Sequence, residues 1–89
     1  MPVISMFYGI IIRMFYYDNK EHHLPHIHIQ YAEFKAVIAL ESEKVLEGKF
    51  PNDKLKLVLA WMEIHKDELM ANWLLAIEGQ NVFKIDALK

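Results

Sequence analysis

The sequence contains no cysteine, and this absence excludes a disulfide-stabilised scaffold and a thiolate zinc site. It also lacks an excess of basic residues, because ten Lys and Arg are outnumbered by twelve Asp and Glu, which gives a formal net charge of -2. Most proteins that bind the phosphate backbone of nucleic acids carry a strong positive charge. Nucleic acid therefore stays open as a ligand, but the charge does not indicate it.

No stretch of the sequence approaches the roughly 20 consecutive apolar residues that a membrane-spanning helix requires. The apolar N-terminus, MPVISMFYGIIIRMFYY, lacks the basic leading region and the small-residue cleavage site of a signal peptide, and Arg13 interrupts it. We therefore expect a cytoplasmic protein that has no membrane partner.

The 89 residues are enough for one hydrophobic core, so we expect a single domain over residues 1–89. Hydrophobic residues make up 54% of the chain, which is high for so small a domain. Because a small fold cannot cover that much apolar surface alone, we expect a second copy or a partner protein to cover part of it.

The first half of the chain predicts strands, because short runs of β-branched and aromatic residues alternate with polar turns between Ile4 and Leu46. The nearly continuous apolar run from Ile10 to Tyr17 predicts a central strand, which ends in the turn residues at 18–20. Further strands are predicted at residues 26–31, 34–40 and 44–47, with a turn at 41–43 before the last of them.

Residues 26–31 read His, Ile, His, Ile, Gln, Tyr, and successive side chains of a strand point to opposite faces. Ile27 and Ile29 would then face the core, while His26 and His28 would face away from it. We therefore expect both isoleucines to be much less accessible than both histidines, and a register error of one residue would reverse this pattern.

The second half of the chain changes to helical spacing between Pro51 and about Gln80. The residues from Gly48 to Pro51 are expected to break the sheet, and Pro51 is suited to the start of a helix. A single helix over this range would be about 40 Å long at 1.5 Å per residue, so we expect two helices, or one bent near Lys66. The two apolar stripes are Leu55, Val58, Leu59 and Met62, then Leu69, Trp73, Ala76 and Ile77, with Gly79 as the stop.

The expected fold is therefore α+β, with a small antiparallel β-meander from the N-terminal half covered on one face by the two C-terminal helices. Val82 to Asp86 is a candidate for a short closing C-terminal strand. Trp61 and Trp73 fall at helical spacing among aliphatic residues, so we expect both in the core.

Four of the five histidines lie within seven positions, in the stretch EHHLPHIHIQ. His22, His26 and His28 are the candidate catalytic residues, because imidazole exchanges protons near neutral pH. The same three are candidate ligands of a divalent metal such as zinc, since residues two apart on a strand share a face and the turn at Pro25 can direct His22 over that face. The alternative is that these histidines are merely exposed or are bonded to nearby acids.

Three further residues are candidates for binding: Arg13, Glu21 and Pro25. Arg13 lies in an apolar strand, where a charge is costly unless it is paired, so it either reaches the edge or points to the same polar face as the histidines. A structural ion pair is favoured over a functional role. A weaker candidate for anion binding is the group of lysines near the start of the first helix, Lys49, Lys54 and Lys56.

Four segments carry a resemblance that covers almost the entire chain: PVISMFYGIIIRMFYYD, EHHLPHIHIQY, LEGKFP and LKLVLAWMEIHKDELMANW. Together they resemble a bacterial family of domains of unknown function, number four-one-six-zero. Its members carry an acid-His-x-Pro-Pro-His-aromatic-His motif, onto which this chain places Glu21, His22, Pro25, His26 and His28. The chain departs from that motif in having Leu24 at the first proline and Ile27 at the aromatic position. The resemblance implies a small protein partner encoded by a neighbouring gene, as in a toxin–antitoxin pair, and it implies no catalytic mechanism.

Two hypotheses of function follow from these residues. In the first, the chain is a toxin-like component whose histidine patch acts on RNA or another phosphate substrate. In the second, it is a non-enzymatic protein-binding or regulatory module whose histidines form an interface or hold a structural metal.

Overall fold

Within residues 2–14 and 24–89, which the computed structural model describes, five strands form one antiparallel sheet and two helices follow it. Each strand pairs with the next one in the sequence, so the sheet is a meander with the third strand in the middle. This architecture confirms the expected α+β fold. The strands are β1 Val3–Phe7, β2 Ile10–Arg13, β3 His26–Tyr31, β4 Phe34–Ala39 and β5 Val45–Lys49, and the helices are α1 Asn52–Ile64 and α2 Lys66–Ile77.

Tight turns set the register of this meander. Tyr8 and Gly9 connect β1 to β2 with positive φ angles of 50° and 80°. Two successive positive φ angles are the geometry of a two-residue hairpin, whose twist matches that of its strands. The turn between β3 and β4 is equally short and includes Ala32 at a φ of 52°. Such turns prevent a slip of one residue, which would exchange the two faces of the sheet.

The hydrophobic core lies between the sheet and the helices. Ile27 and Ile29 of β3 are almost completely buried, as the alternating pattern predicts. Trp61 and Trp73 are also buried, which confirms their expected place in the core, and the ring of Trp61 lies 5.4 Å from that of Phe7. The cluster further includes Ile4, Ile10, Ile12, Met14, Ala36, Ile38, Leu40, Val58, Met62, Leu69 and Ile85.

The helical half contains two helices that are joined at a single residue, His65. Pro51 precedes α1 with a φ of -60°, the angle that its ring imposes and that a helix start requires. After α2, Gly79 adopts a φ of 74° and its N–H donates to the carbonyl of Ala76, so the helix stops at the predicted glycine. Neither helix of the described residues is long and apolar enough to cross a membrane.

Two predicted strand boundaries are wrong. The strand that was expected to run from Ile10 to Tyr17 ends at Arg13, and residues 15–23, which include the expected turn at 18–20, lie outside the described residues. The sheet was expected to break at Gly48, but β5 continues through it. The reason is local: Gly48 has a φ of 90°, and a Cβ there would lie 2.2 Å from the carbonyl oxygen of Lys35. Only glycine lets β5 pass β4 so closely.

The closing strand expected at Val82 to Asp86 is not formed. The segment instead makes one backbone hydrogen bond to β1, from the N–H of Ile85 to the carbonyl of Ile4 at 2.7 Å. The side chain of Asn72 holds the same segment, because it donates to the carbonyl of Phe83 at 2.7 Å and accepts from the N–H of Phe83 at 2.9 Å. One backbone hydrogen bond and the side chain of Asn72, and not a strand ladder, therefore fix this tail.

We expect the substitution Asn72→Ala to lower the free energy of unfolding by about 2–3 kcal/mol, because it leaves both backbone groups of Phe83 without the partner that they have in the native protein. Urea denaturation measures the change. The matched control is Asn81→Ala, since Asn81 is exposed, and it should change stability by no more than about 0.5 kcal/mol. Equal effects of the two substitutions would contradict a fastening role for Asn72.

Candidate functional site

One row of side chains crosses the sheet on the face opposite Ile27 and Ile29. Arg13 of β2 pairs with His28 of β3, His28 pairs with Val37 of β4, and Val37 pairs with Glu47 of β5. Residues that lie directly opposite one another in antiparallel strands share a face. The register therefore places a guanidinium, an imidazole and a carboxylate in one line, with Val37 between the last two.

A second row lies two residues further along and completes a groove of about 260 Å³. Gln30 of β3 pairs with Lys35 of β4, and both line the groove. The guanidinium of Arg13 donates to the side-chain oxygen of Gln30 at 2.9 Å. Arg13 was expected either to reach the edge or to point to the polar face of the histidines, and it lies on that face. The groove thus offers Arg13, Lys35 and His28 on a floor that includes Val37.

His28 is half-buried in this groove and lies beside a second imidazole. The ring centroids of His28 and His26 are 5.2 Å apart, at an interplanar angle of 67°. This edge-to-face contact follows from the alternation of β3, which puts both side chains on the same face. This contact confirms that the two histidines lie on the same face of β3, as expected.

The expected exposure of His26 is wrong, because its side chain is 0% exposed. The ring of Trp73, on α2, lies 5.0 Å from the ring of His26 and covers it. The Nδ1 atom of His26 lies 2.6 Å from the carbonyl oxygen of Leu24. A carbonyl oxygen can only accept a hydrogen bond, so Nδ1 carries the proton. His26 therefore packs inside the protein and supports its neighbour, and it does not form part of an open histidine patch.

Several residues of the sequence motif lie outside the described residues. These are Glu21, which was predicted to bind, His22, which was predicted to be catalytic, and the adjacent His23. Pro25 is half-buried before β3, and its carbonyl accepts a hydrogen bond from the N–H of Leu40 at 2.9 Å. Pro25 thus anchors the start of β3 to the end of β4.

A metal centre at His22, His26 and His28 stays a prediction, because its first ligand lies outside the described residues. Among the residues that the structure describes, no group of three or more His, Asp and Glu side chains is placed to hold a metal ion. His26 also uses one ring nitrogen for the carbonyl of Leu24. Only the other ring nitrogen of His26 could therefore serve such a centre.

Lys35 and Glu47 belong to the groove, and sequence reasoning missed both. The alternation of β4 already places Lys35 opposite the core position of Ala36, so that signal was available. Glu47 was hidden by a β-bulge, because the pairing passes from Ile38 with Val45 to Val37 with Glu47. The extra residue of the bulge moves Glu47 to the face of the groove, and an unbroken alternation would not predict this.

The lysines near the first helix do not form the expected anion site as a group. The ammonium group of Lys54 lies 5.1 Å from the centre of the Tyr31 ring, which is a cation–π contact. Lys49 instead pairs with Lys35 at the edge of the sheet, beside the groove. Lys56 is exposed on α1. The cationic residues are therefore divided between the start of the helix and the groove.

A separate titratable contact joins the loop between β4 and β5 to the helices. Burial raises the pKa of the Glu43 carboxyl above its ordinary value of 4.5, and the hydrogen bond and the charge of Glu63 raise it further. Lys66 acts in the opposite direction and lowers the pKa of Glu43, because its positively charged Nζ lies 3.7 Å from the carboxylate. The folded protein thus holds a proton on Glu43 more tightly than the unfolded chain does.

We expect this raised pKa to make the protein less stable as pH rises above 4.5, because Glu43 loses its proton more readily when the chain is unfolded. The substitution Glu43→Gln should remove this loss and flatten the dependence of the unfolding free energy on pH. Urea denaturation at a series of pH values measures it. The control is Glu41→Gln in the same loop, which is exposed, and parallel curves for wild type and Glu43→Gln would contradict the expectation.

We expect His26→Ala to destabilise the protein by about 2 kcal/mol or more, because it leaves a cavity under Trp73 and an unbonded carbonyl at Leu24. His28→Ala is the matched control on the same strand, and it should cost less than about 1 kcal/mol because His28 is only half-buried. Thermal melting compares the two variants. A His26→Ala protein as stable as His28→Ala would mean that the buried ring contributes nothing to folding.

Comparison with known proteins adds a family but no function. No curated protein and no solved structure matches the chain. A family model described as a domain of unknown function, DUF4160, matches residues 9–74, which is more than half of the chain and includes His28 and its whole groove. The family resemblance read from the sequence is thereby confirmed. The chain belongs to the DUF4160 family.

Proposed function

We propose that the chain is one component of a toxin–antitoxin-like pair, and that its groove acts on RNA or another phosphate substrate. The observation that carries this proposal is the groove itself, in which Arg13, His28, Lys35 and Glu47 line one depression of about 260 Å³. Two permanent cations suit a phosphate, and an imidazole and a carboxylate in the same groove suit proton transfer. The four groups come from four different strands, so the sheet holds them in a fixed arrangement.

Arg13 is the main phosphate contact in this proposal. A guanidinium can donate two parallel hydrogen bonds to a phosphate, and its hydrogen bond to Gln30 limits how far it can turn. Lys35 supplies a second positive charge from the neighbouring row. The local excess of positive charge explains how a chain with a net charge of -2 can still bind an anion at one place.

His28 and Glu47 are the proposed acid and base. Two strand spacings separate their backbones, roughly 10 Å, so the two side chains can approach a phosphate from opposite sides. For RNA, the carboxylate of Glu47 takes the proton of a 2′-hydroxyl group, and the oxygen of that hydroxyl forms a bond to phosphorus. The bond from phosphorus to the 5′-oxygen then breaks, and protonated His28 gives its proton to that leaving oxygen.

His26 has a supporting role in this scheme. Its buried ring fixes one side of His28, and α2 fixes His26 in turn through Trp73. His22 stays a proposed third catalytic residue, and Glu21 a proposed binding residue. A small protein from a neighbouring gene is the proposed partner, and we expect it to inhibit the chain by covering the groove.

A second candidate function is a non-enzymatic binding or regulatory module. The burial of His26 favours it, because only one histidine of the described residues, His28, then lines the groove. One imidazole and one carboxylate can serve an interface as well as a reaction. The two candidates differ in whether a bound phosphate substrate is cleaved.

The deciding experiment incubates the purified chain with an end-labelled single-stranded RNA and measures cleavage over time without added metal. We expect wild type to cleave, and His28→Ala to lose about 100-fold or more in rate, as is typical when an acid or base is removed. Arg13→Gln should mainly weaken binding of the RNA. Expression of the chain alone should stop growth, and the His28→Ala variant should not.

The matched control is His65→Ala, which removes a histidine whose Nδ1 contacts Glu68 at the junction of the helices. It should cleave like wild type. Binding of RNA by wild type without any cleavage would favour the second candidate. Neither binding nor cleavage, or equal loss in the two histidine variants, would refute a role for the groove.

A further inference from the structure

Strand β5 forms an edge of the sheet that no other strand of the described residues covers. It pairs with β4 on one side only, and all five of its residues are exposed. Two of them are apolar, Val45 at 41% and Leu46 at 36% exposure. The other edge differs, because the tail makes a backbone hydrogen bond to β1 from Ile85. An uncovered edge presents backbone N–H and C=O groups to any strand that can pair with it.

The sequence of β5 is complementary to itself in the antiparallel direction. If two copies pair about a two-fold axis through Gly48, Glu47 of each copy lies opposite Lys49 of the other. Leu46 then lies opposite Phe50 of the second copy, so apolar residues also meet apolar residues. Pro51 ends the pairing, because it has no N–H to donate. A register centred one residue earlier, at Glu47, would instead bring two like charges together.

We propose that the chain forms a homodimer in which β5 pairs with β5 of a second copy in this register, which joins the two sheets into one. Charge complementarity selects a second copy as the occupant of the edge, because the two Glu47–Lys49 pairs are equivalent by symmetry. The pairing also covers part of the apolar surface that a chain with 54% hydrophobic residues carries.

The dimer changes the groove as well as the edge. Glu47 and Gly48 line the groove, so the second copy places its own Lys49 next to this wall. Each groove thereby receives a positive charge from the other copy. The dimer shares Glu47 with the proposed activity, but it does not require the chemistry of His28, so His28→Ala separates the two proposals.

Sedimentation velocity over a range of micromolar concentrations, with circular dichroism to check folding, tests this pairing. We expect wild type to sediment as a dimer. Lys49→Glu and Glu47→Lys each place like charges opposite each other at two symmetric positions, and each should raise the dimer dissociation constant by at least about tenfold. The double variant Glu47→Lys with Lys49→Glu restores opposite charges in the same register, so it should dimerise like wild type.

The matched control is Lys84→Glu, which makes the same change of charge beside β1 at the other edge of the sheet. It should dimerise like wild type. A monomeric wild type would overturn the proposal, and so would a dimer that Lys49→Glu leaves unchanged or that the double variant fails to restore. His28→Ala should remain a dimer, so a failure of the proposed activity can be told apart from a failure of this interface.

Discussion

Strand β3 is hydrogen-bonded to a neighbour on each side, and this double pairing constrains the rest of the protein. Ile27 and Ile29 of this strand pack in the core under the helices, so His28 and Gln30 must lie on the opposite face of the sheet. The strands on either side then bring Arg13 and Lys35 to that face at fixed positions. Packing on one face of the sheet thus positions polar groups on the other, and the ring of His26 lies beside both His28 and the core residue Trp73.

The groove also depends on strand pairing at two places in β5 where the regular alternation of the strand is interrupted. The bulge in the pairing of β4 and β5 brings Glu47 to the face of His28, and Gly48 allows the close approach of β5 to the carbonyl of Lys35. Both irregularities lie in the strand that also forms the open edge. The proposed chemistry of the groove and the proposed pairing of two copies therefore depend on the same few residues of β5.

Periodicity in the sequence was sufficient for the change from strands to helices, for strands β3 and β4 and for the register of β3. It named no separate strand at Val3–Phe7 and predicted a closing strand at Val82 to Asp86 that is not formed, and the two-helix arrangement followed from helix length. Periodicity could not predict the burial of His26, because Trp73, which covers that ring, lies 47 positions further along the chain. Alternation describes which face a side chain takes, and it contains no information about what later packs against that face. The placement of Glu47 was not predicted for a different reason, because a single extra residue in a bulge reverses the face that each following side chain takes.

The tail and β1 hold each other at one edge of the sheet, and both lie outside the range of residues that the family model matches. Their contact is specific, because Ile85 is buried beside Ile4 and the indole N–H of Trp61 donates to the carbonyl of Asp86 at 2.7 Å. The two ends of this chain are thus one structural unit, although more than seventy residues separate Ile4 from Ile85 in the sequence. A hybrid between this chain and a relative must therefore take both ends from the same parent if that edge is to stay closed.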